Sequence, residues 1–91
     1  MSYRIDYRDS ALDDLGLLKR NEPKCYKKAL RLIGELMEHP HTGTGHPEQL
    51  SGDLSGKWRR RITKRHRLIY EIHDNEVVVI VISAYGHYSD K

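Results

Sequence analysis

Ninety-one residues, 37% of them hydrophobic, allow one small domain with a lean core. A chain of this size buries only about 60% of its unfolded surface, which excludes two domains, a repeat array and a polytopic membrane protein. Sixteen Lys and Arg against thirteen Asp and Glu leave a net charge of +3, weak grounds by itself for a nucleic-acid partner. The longest apolar run, from Val77 to Ile82, is well short of the roughly 20 residues a bilayer requires. The opening residues Met1–Asp6 contain no apolar stretch of the signal-peptide kind, so a cytoplasmic protein is expected. Cys25 is the single cysteine, which excludes a disulfide framework and a thiol-based zinc site; a small core residue in a reducing compartment is the reading.

Along the chain, Tyr3-Arg4-Ile5-Asp6-Tyr7 alternates as a half-buried strand does. Ser10 with Asp13 predicts a helix start of the capping-box type, and Ala11, Leu12, Leu15 and Leu18 follow at helical spacing to Arg20. Asn21-Glu22-Pro23 breaks that segment, with Pro23 suited to the first turn of a second helix. From Lys24 to His39, Tyr26, Ala29, Leu30, Ile33, Leu36 and Met37 predict one apolar stripe. Residues 39–47 read as loop, with two prolines, two glycines and three histidines.

Three further strands are predicted over Trp58–Ile62, Leu68–Ile72 and Val77–Tyr85, joined by Thr63-Lys64-Arg65 and Asp74-Asn75 as antiparallel hairpins. The unbroken run from Val77 to Ile82 points to a central strand covered on both faces. The order is β-α-α-β-β-β, and the helical hairpin is the only lid available for the sheet. The fold class is therefore α+β.

Charge is concentrated rather than abundant. Between Lys57 and Arg67, seven of eleven residues are cations (Lys57, Arg59, Arg60, Arg61, Lys64, Arg65 and Arg67), and none is acidic. Such a patch attracts phosphates through its local potential. Pleat parity groups Trp58, Arg60 and Ile62 on one face, with Trp58 and Ile62 as core members beside Tyr70. Arg61 and Arg67 then emerge together on the open face. His87 shares the parity of Ser83 and Tyr85, opposite to Ile82, Ala84 and Tyr88, although a bulge at Gly86 would reverse that step.

Cleaving RNA without a metal requires a base for the 2'-hydroxyl, an acid for the departing 5'-oxygen, and cations for the developing charge. Glu48 at the end of the loop suits the base and His87 the acid, with Arg61 and Arg67 as a clamp. Arginine fits because its planar fork donates two bonds to phosphate oxygens. His66 is assigned to the turn or the rim of the site. His39, His41 and His46 are loop histidines, no metal or other cofactor is expected, and Tyr85 is the candidate for base stacking.

Pro47-Glu48-Gln49-Leu50, the stretch from Asp53 through Leu54-Ser55-Gly56-Lys57-Trp58-Arg59-Arg60-Arg61-Ile62-Thr63, and His66-Arg67-Leu68-Ile69-Tyr70 together resemble the YoeB/Txe toxins of bacterial type II toxin–antitoxin modules. These lie within the RelE-like superfamily. The terminal His87-Tyr88 also matches, and the resemblance covers nearly the whole chain as one toxin domain, residues 1–91. It implies a RelE-like fold, with the helical hairpin on one face of a small, largely antiparallel sheet. It also implies a metal-independent mRNA interferase that cuts message in the ribosomal A site by 2'-hydroxyl attack. By resemblance Glu48 is the general base, His87 the general acid, Arg61 and Arg67 hold the scissile phosphate, and Tyr88 orients the substrate. Lys57, Arg59, Arg60, Lys64 and Arg65 then grip ribosomal RNA and message backbone. The partners implied are a Phd/YefM-like antitoxin, the ribosome with its mRNA, and a second copy of the toxin.

Two departures stand out: Ser89-Asp90-Lys91 extends past the tyrosine at which many members end, and the hairpin around Glu71 to Glu76 is slightly longer. Two other classes compete. One is a non-catalytic, ParE-like toxin that inhibits gyrase; the other is an RNA-binding module. Neither needs Glu48 and His87 together with Arg61 and Arg67.

Overall fold

The computed structural model describes residues 2–86. Strand β1 (Arg4–Tyr7) leads into helices α1 (Asp9–Asn21) and α2 (Pro23–Glu38). After the loop come a two-residue strand β2 (Glu48–Gln49), a 3-10 turn (Gly52–Leu54), and strands β3 (Lys57–Arg61), β4 (Arg67–His73) and β5 (Val78–Ser83). The sheet order is β1-β5-β4-β3-β2; β1 runs parallel to β5, and every other pairing is antiparallel. No helix among the described residues is long and apolar enough to cross a membrane.

The helical hairpin covers one sheet face. Ala11, Leu15 and Leu18 from α1 and Ala29, Leu32, Ile33 and Leu36 from α2 pack on Ile62, Leu68, Tyr70, Val79, Val81 and Ala84. Trp58 is partly buried against this core. Each fully buried leucine in it contributes about 1.5–3 kcal/mol through removal of apolar surface from water. The apolar stripes are narrower than the sequence predicts: Leu12, Leu30 and Met37 are exposed, and Leu32 points inward instead. Pro23 occupies the first turn of α2, where its missing N–H costs nothing.

The predicted capping box does not form. Helix α1 begins two residues earlier, with Arg8 rather than Ser10 at the N-cap position and without a side-chain cap. The Ser10 hydroxyl donates instead to the Ile82 carbonyl, 2.5 Å away, tying the helix to the central strand.

Strand β5 is buried on both faces, with Val79 and Val81 toward the helices and Val78 and Ile82 on the other side. Its register slips opposite Ile69 and Tyr70, where Tyr70 pairs with Val81 and Ile69 with Ser83, leaving Ile82 as the extra residue. The irregularity within β5 thus sits at Ile82, and the step from Gly86 to His87 lies outside the described residues. The slip returns Ala84, which strict alternation from Val81 would face away from the helices, to the core.

Candidate functional site

Two cross-strand pairs build the site on the open sheet face. Glu48 of β2 lies opposite Arg59 of β3, and Arg61, two residues further along β3, lies opposite Arg67 of β4. Two-residue spacing puts Arg59 and Arg61 on one face. Gly45, His46, Glu48, Arg59, Arg61 and Arg67 line a pocket of about 170 Å³. A second hollow of about 270 Å³, lined by Gln49, Leu50, Ser51 and Leu54, shares the Glu48–Arg59 wall.

The Arg59 guanidinium reaches Glu48 Oε1 from both Nε (2.8 Å) and Nη2 (2.6 Å), a charge-assisted pairing that fixes the carboxylate's direction. Arg61 is exposed. Arg67 is half-buried, and its Nη1 donates to the Thr63 carbonyl at 2.6 Å while its guanidinium still borders the pocket. Like charges directly across a pair of strands oppose each other. The Arg61–Arg67 rung therefore tolerates its own repulsion at a place where an anion would relieve it.

The loop leading to Glu48 is held from inside. Arg60 is fully buried and all five of its N–H groups are directed to acceptors. Nε donates to the Tyr70 hydroxyl (3.0 Å), Nη1 to Glu35 Oε1 (2.9 Å) and the Thr44 carbonyl (3.4 Å), and Nη2 to the carbonyls of His39 (2.5 Å) and Thr42 (2.6 Å). Burial pushes the Glu35 carboxyl up, but the Thr44 N–H and the Arg60 cation outweigh it and hold the group below its ordinary range. The loop has to pass close to this network. A Cβ at Gly43 would sit 2.6 Å from Glu35 Oε1, and one at Gly45 would sit 2.8 Å from the Arg61 carbonyl, both at positive φ. The Arg61 N–H in turn donates to the Gly45 carbonyl at 2.7 Å.

Glu48, expected at the end of a loop, thus converges with Arg59 and Arg61 of one strand and Arg67 of the next. Arg60 does not join them, and its place among RNA-gripping residues is corrected: the pleat turns its side chain toward the helices, where the loop carbonyls and Glu35 consume it. Lys57, at the far end of β3, lies opposite Glu71 with Nζ 3.6 Å from the carboxylate. Lys64 and Arg65 are exposed on the β3–β4 turn, and Arg65 is 3.9 Å from Glu22. Tyr85 is exposed, with its ring tilted against that of His66 at 4.5 Å. His87 and Tyr88 lie outside the described residues.

His46, expected only as a loop histidine, lines the pocket; its place two residues before Glu48 is the available signal. The sequence also does not bring Cys25 near a histidine. Glu22, Cys25 and His66 place potential ligand atoms within 4.8 Å of one another. The bonding pattern fits a metal poorly. The Gly86 N–H donates to His66 Nδ1 at 2.9 Å, so the ring's proton is on Nε2, facing Glu22 Oε2 at 2.9 Å. A cation would need the lone pair that Nε2 lacks. Burial, followed by the neighbouring Glu22, pushes the Cys25 thiol up, away from the thiolate a metal prefers.

The family model described as "YoeB-like toxin of bacterial type II toxin-antitoxin system" matches residues 7–88. "Toxin YoeB" of Mycobacterium bovis is 38% identical over 76 residues, covering 84% of this chain and 89% of that protein. Among solved structures, a YoeB/ParE toxin from Agrobacterium tumefaciens superposes with a TM-score of 0.87 at 33% identity, over 93% of this chain and 99% of the other. The toxin in a YoeB-YefM complex from Staphylococcus aureus gives 0.81 at 29% identity, over 97% and 100%, and a structure described as a YoeB dimer from the same organism also gives 0.81, at 30% identity and the same coverage.

Proposed function

The chain belongs to the YoeB-like toxins of bacterial type II toxin–antitoxin systems, and on that premise we propose that it is a ribosome-dependent endoribonuclease that cuts mRNA in the A site. One observation carries the chemistry: a carboxylate and three guanidinium groups from β2, β3 and β4 border a single pocket on the open sheet face.

In this reading Glu48 removes the proton from a ribose 2'-hydroxyl, and the oxygen attacks the adjacent phosphorus. A 2',3'-cyclic phosphate forms as the bond to the 5'-oxygen breaks, and that oxygen takes a proton from His87. Arg61 and Arg67 neutralise the charge that grows on the phosphoryl oxygens. Arg59 aims the Glu48 carboxylate, a role added to its place in the basic patch. Tyr88 orients the substrate, Tyr85 stacks on a base, and Lys57, Lys64 and Arg65 contact the backbones of message and ribosomal RNA. The steps need neither metal nor cofactor. The partners are a YefM-like antitoxin and, in the free toxin, a second copy; the working place is the cytoplasm, where ribosomes are found.

Induced expression with primer extension on a defined transcript tests the reading. The parent chain is expected to arrest growth and leave cuts at ribosome-occupied codons, and Glu48→Gln to lower cleavage by at least about 100-fold, at the lower end of what general-base catalysis supplies. Replacing the 2'-hydroxyl by hydrogen at the cut position abolishes the product. Arrest without cuts, or continued cutting of the deoxy substrate, overturns the proposal.

A further inference from the structure

The two hollows on either side of the Glu48–Arg59 wall differ in chemistry. Charge dominates the pocket, where Glu48 meets three arginines. The larger hollow keeps Glu48 and Arg59 as one wall, but its floor and far side come from Gln49, Leu50, Ser51 and Leu54. Leu50 and Leu54 are half-buried. Neither belongs to the buried core or to the partly buried side chains packed against it. A single such leucine would be ordinary surface. Two that border one hollow, next to a charged pocket, turn apolar surface toward whatever enters.

Backbone bonds hold these leucines in place. The Leu50 N–H donates to the Lys57 carbonyl at 2.9 Å and so prolongs the pairing of β2 with β3. The Leu54 N–H donates to the Ser51 carbonyl at 3.3 Å and the Ser55 N–H to the Gly52 carbonyl at 3.0 Å, closing the 3-10 turn. That turn brings Leu54 back to the hollow that Leu50 borders.

The connectivity of ribose says what lies there. The carbon bearing the 2'-hydroxyl stands between C1', which carries the base, and C3', which carries the attacked phosphate. With the 2'-hydroxyl at Glu48 and the phosphate on the Arg61–Arg67 side, the base of the same nucleotide projects to the other side of Glu48. The hollow is on that side.

We propose that this hollow is a base subsite: Leu50 and Leu54 receive the nucleobase on the 5' side of the cut, that of the nucleotide whose 2'-hydroxyl attacks. The inference rests on the reading of Glu48 as general base and names what lies beside it. Arg59 borders both spaces and brings a planar guanidinium, a group on which bases stack. Apolar and stacking contacts accept any base, because every base has a π-face. The subsite therefore registers the ribose against Glu48 without reading the codon.

Single-turnover cleavage on programmed ribosomes tests the subsite. An abasic nucleotide on the 5' side of the cut should slow the parent chain by about tenfold or more. Leu54→Ala should slow cutting of intact message by about the same factor, yet slow the abasic message no further, because both changes delete one contact. Losses that multiply place the action of Leu54 elsewhere and overturn the proposal. An abasic message cut by the parent at the full rate also overturns it, and leaves the hollow to a protein occupant such as the antitoxin.

Cross-linking tests the same contact without cleavage and without a variant that must fold. A 4-thio-2'-deoxyuridine at that position cannot be cut, and on irradiation with the parent chain bound it should join to residues 49–54. Cross-links that map only to other segments overturn the subsite. Where the parent cuts no message, the label is moved through the A-site codon. A cross-link to residues 49–54 then retains the base contact, and the failure lies with the nuclease reading.

Discussion

The guanidinium of Arg60 finds every partner inside the protein, whereas that of Arg61, one residue on, opens to the pocket. Their substitutions should behave oppositely. Arg60→Ala strands the Glu35 carboxylate and four loop or ring acceptors, so a loss of about 3–5 kcal/mol is expected in urea denaturation, as for other broken buried pairs. Arg61→Ala should change stability by less than about 0.5 kcal/mol, because it removes a charge already repelled across the strand pair. It should nevertheless slow cleavage by about 100-fold or more, as loss of one transition-state donor does. A stable Arg60→Ala variant would show that the loop is held by something else. Parity from Trp58 and Ile62 already turned Arg60 toward the core, whereas the resemblance counted it with the RNA-gripping patch. Its compensating acceptors come from residues 10 to 25 positions away, which no local pattern discloses.

At the scale of elements, the helical hairpin and the β3–β4–β5 meander were legible because periodicity and turn residues are local signals. Strand β2 was not, since two residues offer no pattern and Glu48 and Gln49 join the sheet only because the Arg60-held loop runs beside β3. The rotation of α2 that buries Leu32 and exposes Leu30 follows from how the helix seats on the sheet, which the stripe alone leaves open. One hairpin is strained. Val77, preceding β5, has φ +56°, a region where a β-branched side chain crowds its own backbone. Val77→Asn keeps the turn and tolerates that φ, so it should gain about 1 kcal/mol and raise the melting midpoint by roughly 4–8 °C. An unchanged or lowered midpoint would mean that the valine side chain contributes packing larger than the strain.

The molecule as a whole depends on several carboxylates staying ionised. Glu22 is held below its ordinary value chiefly by His66. Glu71 is lowered chiefly by His73, with Lys57 and Arg8 nearby, and Asp74 chiefly by the Tyr3 hydroxyl, whereas in Glu35 the Thr44 and Arg60 bonds overcome burial. A carboxylate depressed by folding binds fewer protons folded than unfolded, so its contribution is complete above the unfolded value and disappears as pH falls through the folded one. With ordinary values of 4.5 for Glu and 3.8 for Asp, melting midpoints should be level above about pH 5 and drop below it. A midpoint unchanged down to pH 3, measured by circular dichroism, would contradict these assignments.

The parallel pairing of β1 with β5 joins the two ends of the chain, Arg4 to Val78 through Tyr7 to Val81. Synthesis proceeds from the N-terminus at about 5–20 residues per second, so the opening strand waits roughly 4–15 s for its neighbour to be made. During that interval the helices have no central strand to cover, and the fold cannot close. The nuclease proposed above therefore cannot complete its sheet until its last strand has emerged from the ribosome that makes it.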